Sequence, residues 1–486
     1  MKKFLVSAAA IAALATSAMA YNYNEIGAMD NSATTKIVTN SDESNLSVIG
    51  FDQTKLGNAL VFPAYFTGNG WESTVRVINT GNNPVVAKVV LYAGKDSHEV
   101  RDFNIYLSAK DVWVGKIKVD ENGKAKVVST DDSTPLEDGS IASEDNPFGK
   151  EIDSNFGYIE VIGMAEATTV PAGYEHDHAN LRKAYADFAL KARNPKADGT
   201  KVTGLIFKNG VVQGKKVTLP YVDLNPTINV GIVTGVGNYT FTHPSAVLTG
   251  DVRITDTVNG KDMDMMAYKF DYNSTGTDAL VYLEGEKANI ADIFLHKGSN
   301  DYDNIVLKKV IDKISSSKVY LTYGDAEVNN MYALLTNPFK RVYVQAQLDA
   351  DDGLLNAKLN DKIKTANAYY SDASVDKNGV INYGSTSLVA QIYDESENVM
   401  SAGQFSPATT PTIKLENEVA STGYDVNDEN TLAYFLKQAQ DQGYKRGFVI
   451  LSNANSNNDV PGIMTQMLAT KAGNKVVTNW IVPQGN

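Results

Sequence analysis

Apolar and polar side chains alternate with a period of two along much of this chain. In residues 73–79, Val75 and Val77 fall on one face of an extended strand, whereas Thr74 and Arg76 fall on the other. Strands with turns rich in Gly, Asn and Pro at a spacing of about 8–12 residues are typical of antiparallel sandwiches. The pattern therefore predicts a mainly β protein built from Ig-like antiparallel β-sandwich domains. Further strands are expected at 85–92, 101–107, 156–164, 342–348, 388–393, 447–451 and 476–482.

Three segments break this alternation, because their apolar residues recur at the three- and four-residue spacing of an amphipathic helix. One follows residue 178 and ends before Pro195, one lies near 307–314, and one lies near 432–439 with Gly443 as its stop. We therefore expect a few amphipathic helices inserted between the strands.

The first 20 residues, MKKFLVSAAAIAALATSAMA, have the layout of a secretory signal peptide. Lys2 and Lys3 precede a short apolar run, and Ala18-Met19-Ala20 is a small-x-small cleavage site. The sequence thus predicts export to the cell surface or the extracellular space, with the periplasm as the alternative. We divide the rest into a flexible segment (21–44), an Ig-like sandwich (45–165), a β-rich domain with helical insertions (166–350) and a C-terminal β-rich region with one helix (351–486).

Composition narrows the possible partners. Removing Lys2 and Lys3 with the signal changes the formal net charge from −13 to −15, which repels nucleic acid. The chain contains no cysteine, which excludes disulfides, thiolate metal sites and cysteine nucleophiles. Beyond the signal, no run of 18 apolar residues predicts a transmembrane segment. We expect self-association or contacts with other cell-surface components.

Glu175-His176-Asp177-His178 is the tetrapeptide that most resembles a metal site. Imidazole groups at His176 and His178, flanked by carboxylates, are suitable ligands for Zn²⁺ or Cu²⁺. A third or fourth ligand is not evident from the sequence. The alternative is a polar loop in which Asp177 caps the helix that follows.

A second candidate metal site is acidic. Asp349, Asp351 and Asp352 precede Gly353, and clustered carboxylates on a turn are suitable ligands for Ca²⁺. The spacing is not that of an EF-hand, so the alternative is a solvated loop. Calcium is the cofactor that we expect first, and no cofactor is established by the sequence.

Aromatic residues suggest a binding surface. Phe62, Tyr65, Phe66 and Trp71 lie close together in the chain, and exposed rings on a sandwich could stack on sugars. The alternative is that they pack in the core. Signatures of hydrolases, such as G-x-S-x-G and H-E-x-x-H, are absent from the sequence, as is a phosphate-binding Walker motif.

Several runs carry a resemblance to a known family. The Asn79-Thr80 turn, the run EVRDFNIYLSAKDVW at 99–113 and a late Tyr393-Asp394 segment resemble an uncharacterised family of exported, β-rich proteins of Gram-negative bacteria. The resemblance extends over roughly residues 60–400. It implies an envelope or extracellular protein, and it implies no catalytic residues.

The leading hypothesis is therefore a non-enzymatic exported protein of the cell surface or envelope. Its role would be structural, as in an S-layer-like matrix, or adhesive, with calcium assisting contacts between copies. The alternative is a soluble periplasmic or secreted protein that binds carbohydrate or metal. An enzyme of unknown reaction is the third possibility.

Overall fold

The computed structural model shows a chain built mainly from antiparallel β-sheets, so the predicted fold class is confirmed. It describes residues 46–135, 151–193, 205–212, 215–224, 230–258, 261–272, 279–282, 290, 296–297, 302–303, 305–324, 329–341, 343–344, 369–375, 381–405, 410–422, 431–455, 459–472 and 475–481. The predicted signal peptide and the segment 21–44 lie outside these residues.

The strands are numbered in chain order. The first fifteen are β1 (Leu46–Gly50), β2 (Ala59–Phe66), β3 (Trp71–Asn79), β4 (Val85–Ala93), β5 (Glu99–Leu107), β6 (Val112–Val119), β7 (Ala125–Val128), β8 (Phe156–Thr169), β9 (Leu205–Val212), β10 (Lys215–Leu224), β11 (Val230–Val233), β12 (Gly237–Thr242), β13 (Leu248–Asp256), β14 (Lys261–Met266) and β15 (Tyr268–Tyr272). The others are β16 (Ala279–Tyr282), β17 (His296–Lys297), β18 (Tyr302–Asp303), β19 (Val319–Tyr323), β20 (Asn329–Thr336), β21 (Ser374–Val375), β22 (Ile381–Asn382), β23 (Thr386–Asp394), β24 (Thr412–Leu415), β25 (Val419–Ser421), β26 (Gly447–Asn453), β27 (Ile463–Ala472) and β28 (Lys475–Ile481).

Three α-helices of at least ten residues occur in the described part, as the sequence predicted: α1 (His178–Arg193), α2 (Ile305–Ile314) and α3 (Leu432–Asp441). The hydroxyl of Thr431 accepts a hydrogen bond from the Tyr434 amide and so caps α3, which buries Leu432, Phe435, Leu436 and Ala439. Within the described residues, no helix has both the length and the apolar content needed to cross a bilayer.

An eight-stranded and a five-stranded sheet pack together as the first sandwich. The eight-stranded sheet runs β1-β15-β2-β8-β12-β11, and β4 pairs with both β8 and β5; the five-stranded sheet runs β14-β13-β3-β6-β7. Phe62 faces Gly250 of β13, where an added Cβ would lie 2.9 Å from the phenyl ring and 2.3 Å from the Arg76 carbonyl oxygen. Glycine at this position therefore allows the two sheets to approach closely.

The eight-stranded sheet is the central layer of the molecule, because its middle strands are buried on both faces. All nine residues of β4 are buried, as are eleven of the fourteen in β8. Strands of this kind are nearly continuous in apolar residues. One face packs on the five-stranded sheet, and the other packs on α1 and on later parts of the chain that include Leu334, Phe339 and Tyr343.

Two four-stranded sheets form the second sandwich, ordered β19-β26-β23-β24 and β25-β20-β27-β28. Its own core includes Leu321, Leu335, Ile392 and Val449. Residues 343–344 are helical rather than extended, so the strand predicted at 342–348 is wrong there. The amide of Tyr343 donates to the Phe339 carbonyl, which closes a helical turn shortly after Pro338.

The sheets pair strands that are distant in the sequence. The predicted division at residue 165 falls within β8, and β13 pairs with β3 and β14 within the five-stranded sheet. The predicted division at residue 350 separates β19 and β20 from the sheets to which they belong. As a division into independently folding units, the three proposed regions stay a prediction.

Candidate functional site

The predicted histidine pair lies where α1 meets the turn between β5 and β6. The carboxylate of Asp177 accepts a hydrogen bond from the Asn180 amide at 2.9 Å, so the predicted capping of this helix is confirmed. His178 is the first residue of α1 and is only 9% exposed. The other predicted metal ligands, Asp349, Asp351 and Asp352, lie outside the described residues.

His178 lies between two carboxylates. Its Nε2 is 2.9 Å from Oδ2 of Asp111, and its Nδ1 is 3.4 Å from Oδ1 of Asp132. Burial by itself lowers the pKa of His178, but the hydrogen bond to Asp111 and the charges of Asp111, Asp132 and Asp131 outweigh it, so the pKa is raised. The ring and the Asp111 carboxylate thus form a mostly buried hydrogen-bonded pair, which is an ion pair when the ring is protonated.

Asp111 organises the turn that holds this histidine. Its carboxylate accepts hydrogen bonds from the amides of Ser108, at 2.9 Å, and Val112, at 2.8 Å. Burial by itself raises the pKa of Asp111, but the hydrogen bonds from His178 and these two amides outweigh it and lower the pKa. His176 lies nearby, with its Nδ1 3.2 Å from the Ser108 hydroxyl. We call Ser108, Asp111, Asp132, His176 and His178 the His178 cluster.

The Asn79 turn is bonded to the same structure. The Asn79 side chain donates to the carbonyls of Asn83, at 2.9 Å, and Ser108, at 2.7 Å, and its oxygen accepts from the Gly81 amide. The Asn79 amide donates to the Asp111 carbonyl. Two of the runs that carry the family resemblance, the Asn79-Thr80 turn and the run that ends in Asp111-Val112-Trp113, therefore join in one hydrogen-bonded structure.

The chemistry available to the His178 cluster follows from these bonds. In the part of the chain that the structure describes, no three His, Asp or Glu side chains are arranged to hold a metal ion. His178 bonds to Asp111, and His176 bonds to a hydroxyl. Metal binding by His176 and His178 stays a prediction. The observed hydrogen bonds connect α1 to the first sandwich.

Sequence reasoning missed a second cluster at the turn between β4 and β5. The imidazole Nδ1 of His98 is 2.6 Å from Oδ1 of Asp96, and its Nε2 is 3.1 Å from Oδ1 of Asp153. The hydrogen bond to Asp96 is the largest effect on the pKa of His98, and with the Asp153 carboxylate it outweighs burial and raises the pKa. We call Asp96, His98 and Asp153 the His98 cluster; its only sequence signal was the Asp96-x-His98 spacing.

The predicted aromatic group divides into two pairs. Phe62 and Tyr65 are fully buried, as the core-packing alternative predicted. Phe66 and Trp71 are half-buried, with ring centroids 6.0 Å apart. Phe66 also lines a cleft of about 350 Å³ between the two sandwiches. The remaining residues of that cleft are Phe156, Leu334, Lys414, Leu415, Glu416, Asn417, Val419, Ala420 and Ser421.

The lining of the cleft combines aromatic side chains with polar and charged ones. Phe66 and Phe156 come from the first sandwich, whereas Lys414, Glu416 and Asn417 come from the second. Aromatic faces next to amide and charged groups are suited to amphipathic ligands such as sugars. No protein-family model, curated protein or solved structure matches this chain.

Proposed function

We propose that this chain is a non-enzymatic exported protein that acts as a stiff β-scaffold at the cell surface or in the envelope. The observation that carries the proposal is the set of hydrogen bonds that the His178 and His98 rings make. The His178 ring bonds to Asp111 in the β5–β6 turn, and the His98 ring bonds to Asp96 and Asp153, so both titratable side chains hold parts of the scaffold together. The central sheet, buried on both faces, adds to the stiffness of the body.

The outer face of the five-stranded sheet supports a surface role. Arg76 pairs with Asp251 across β3 and β13, and Arg253 pairs with Asp262 across β13 and β14. On β6 the neighbouring side chains Val112 and Val114 are each 38% exposed. Cross-strand ion pairs on an exposed face keep a sheet soluble while leaving area for contacts.

An edge strand supports self-association. Among the described strands of its sheet, β19 pairs only with β26; the Gln466 side chain bonds to the Thr322 backbone, and Tyr320 on this strand is 55% exposed. Edge strands offer unpaired backbone groups to a second chain. With the acidic net charge, we expect contacts between copies to strengthen when Ca²⁺ screens the repulsion.

Localisation tests this proposal. We expect protease treatment of intact cells to remove the protein and fractionation with imaging to place it at the cell periphery. Sedimentation of the purified protein with Ca²⁺ should give larger species than sedimentation with EDTA. Recovery only from the soluble periplasm would reject the surface role, and an unchanged sedimentation profile would reject calcium-linked assembly.

Carbohydrate binding in the cleft is the second candidate, and Phe66 at the cleft wall favours it. Phe66→Ala and Phe156→Ala should each weaken binding of soluble oligosaccharides, measured by calorimetry, because both rings line the cleft. Tyr320→Ala, an exposed aromatic change on β19, is the matched control and should leave binding unchanged. Equal loss in all three variants, or no binding by the original protein, would reject this candidate.

A further inference from the structure

A polar seam joins the two sandwiches. On one side lie residues 336–341 and 416–419, which flank strands of the second sandwich. On the other side lie Pro63, the β4–β5 turn at 94–98, and Tyr158 of the first sandwich. We refer to these residues as the seam.

Hydrogen bonds cross the seam at four places. The amide of Val419 donates to the Gly94 carbonyl at 2.8 Å. The Thr336 hydroxyl donates to the Pro63 carbonyl at 2.6 Å, and Nη1 of Arg341 donates to the Asp96 carbonyl at 2.8 Å. The hydroxyl of Tyr158 lies 3.2 Å from the Pro338 carbonyl oxygen, to which it donates. The contact between the sandwiches thus depends on the conformation of the 94–98 turn.

The seam encloses a carboxyl group. Glu418 is 1% exposed, and its Oε2 has no hydrogen-bond partner within the described structure. Burial raises the pKa of Glu418 to about 7, against the opposing charges of Lys340 and Arg341 and with a further contribution from Asp96. A proton on Glu418 therefore removes a buried negative charge whose Oε2 lacks a hydrogen bond.

Lys340 is the buried cation of the seam. It is also 1% exposed, and its ammonium donates to the Glu416 carbonyl at 2.7 Å and lies 5.6 Å from the centre of the Tyr370 ring. Burial lowers the pKa of Lys340. This effect has the opposite sign from that of Glu418, because burial makes the folded seam bind the Lys340 proton less tightly than an open one.

The His98 cluster holds the other side of the seam. Its imidazole bridges Asp96, on the 94–98 turn, and Asp153, just before β8. Protonated His98 therefore fixes the turn whose carbonyls accept the seam bonds from Val419 and Arg341.

The two titrations act in the same direction. Raised pKa values at His98 and Glu418 both mean that the folded seam binds protons more tightly than an open one. Their stabilisation is complete below the ordinary pKa of each group and is lost as the pH rises through the folded values. Tyr158 and Tyr370 also face Glu418, but burial raises their pKa values well above the usual range, so they stay neutral in this window.

We propose that the seam is a proton-controlled latch, which holds the two sandwiches together while His98 and Glu418 carry their protons and loosens when they lose them. Mild acid tightens the contact and alkaline conditions release it. An exported protein is exposed to the external pH, so such a latch would link the shape of the scaffold to its surroundings.

Hydrogen exchange of the full chain tests the latch. The protection factor of the Val419 amide should fall roughly tenfold or more between about pH 5.5 and about pH 8, since one unit of differential pKa is a factor of ten in the opening equilibrium. Amides of the β3–β13 ladder should keep their protection. Equal protection of Val419 at both pH values, or an equal fall in the β3–β13 ladder, would overturn the proposal.

Two variants separate the groups. Glu418→Gln should reduce the fall in Val419 protection between about pH 5.5 and about pH 8 to the part that His98 causes, whereas His98→Gln should already lower the protection at about pH 5.5. Glu416→Gln is the matched control, because the Glu416 side chain is 73% exposed in the same segment, and it should behave like the original protein. A full pH response in Glu418→Gln would reject the role of Glu418, and if that variant does not fold, the profile of the original protein decides.

Discussion

The His178 and His98 clusters place an imidazole between two carboxylates, but they differ in what they join and in how deeply they lie. His178 is 9% exposed and connects the start of α1 with the β5–β6 turn, 67 residues earlier in the chain. His98 is 22% exposed and bonds to Asp96 within its own turn and to Asp153 before β8. The deeper ring fastens an inserted helix to the first sandwich, whereas the shallower one fixes a turn at the joint between sandwiches.

The carboxylates Asp111 and Asp153 also differ, both in their hydrogen bonds and in their exposure. Asp111 accepts from two backbone amides as well as from His178, so it organises the turn and the brace together. Asp153 is 60% exposed and bonds to the outer side of His98. Charged groups in exposed pairs contribute little, whereas losing one partner of a buried pair leaves an uncompensated charge. The pKa values of both imidazoles are raised, so the two clusters differ in how much each ion pair stabilises the fold rather than in whether it responds to protons.

Of the substitutions that test this comparison, Asp111→Asn should cause the largest loss in the free energy of unfolding. The amide cannot accept on both sides, so His178 or a turn amide loses its partner, and we expect a loss of about 2–3 kcal/mol in the free energy of unfolding. Urea unfolding followed by tryptophan fluorescence measures this, since Trp113 is two residues away and buried. Asp153→Asn is the matched control and should cost less than about 1 kcal/mol. Equal losses in the two variants would show that the Asp111 carboxylate does not stabilise the fold more than the Asp153 carboxylate.

A smaller effect should appear in the titration of His98. The hydrogen bond to Asp96 is the largest cause of its raised pKa, ahead of burial and of the Asp153 carboxylate. Asp96→Asn should therefore lower the pKa of His98 more than Asp153→Asn does, as read from the imidazole proton shift by NMR. In the original protein, the stabilisation by His98 should be present in acid and lost as the pH rises through the raised value. A larger shift in Asp153→Asn would show that the outer carboxylate dominates.

The strands and helices of both sandwiches were predictable because their side chains have a local period. Val75 and Val77 were expected on one face and are buried there, and Leu432, Phe435, Leu436 and Ala439 form the buried face of α3. A strand was wrongly predicted at residues 343–344 because a short apolar run fits a strand and a buried helical turn equally well. Capping by Asp177 was predictable because it needs only the residues that follow it.

The sites were less predictable, because they depend on contacts between distant residues. Asp153 is 55 residues from His98, and no local pattern connects them. Glu418 lies in the run LENEV, which reads as an acidic surface turn, and only the packing of the second sandwich on the first buries it. Sequence reasoning identified His178 as a candidate metal ligand or part of a polar loop, but it could not find Asp111 as its partner, because that carboxylate belongs to another motif.

Removing single hydroxyl groups beside the two clusters should cause the smallest losses in the free energy of unfolding. Ser108→Ala removes the hydrogen-bond partner of His176, whereas Ser97→Ala removes the hydroxyl that lies 3.0 Å from the buried Tyr158 hydroxyl. A single neutral hydrogen bond contributes about 1 kcal/mol, and His176 can turn to solvent, so Ser108→Ala should cost about 0.5 kcal/mol. Tyr158 cannot reach water but keeps its bond to the Pro338 carbonyl, so Ser97→Ala should cost slightly more. Urea unfolding of both variants under one condition provides the measurement. A loss above about 2 kcal/mol in Ser108→Ala would show that His176 has a structural role as large as that of His178.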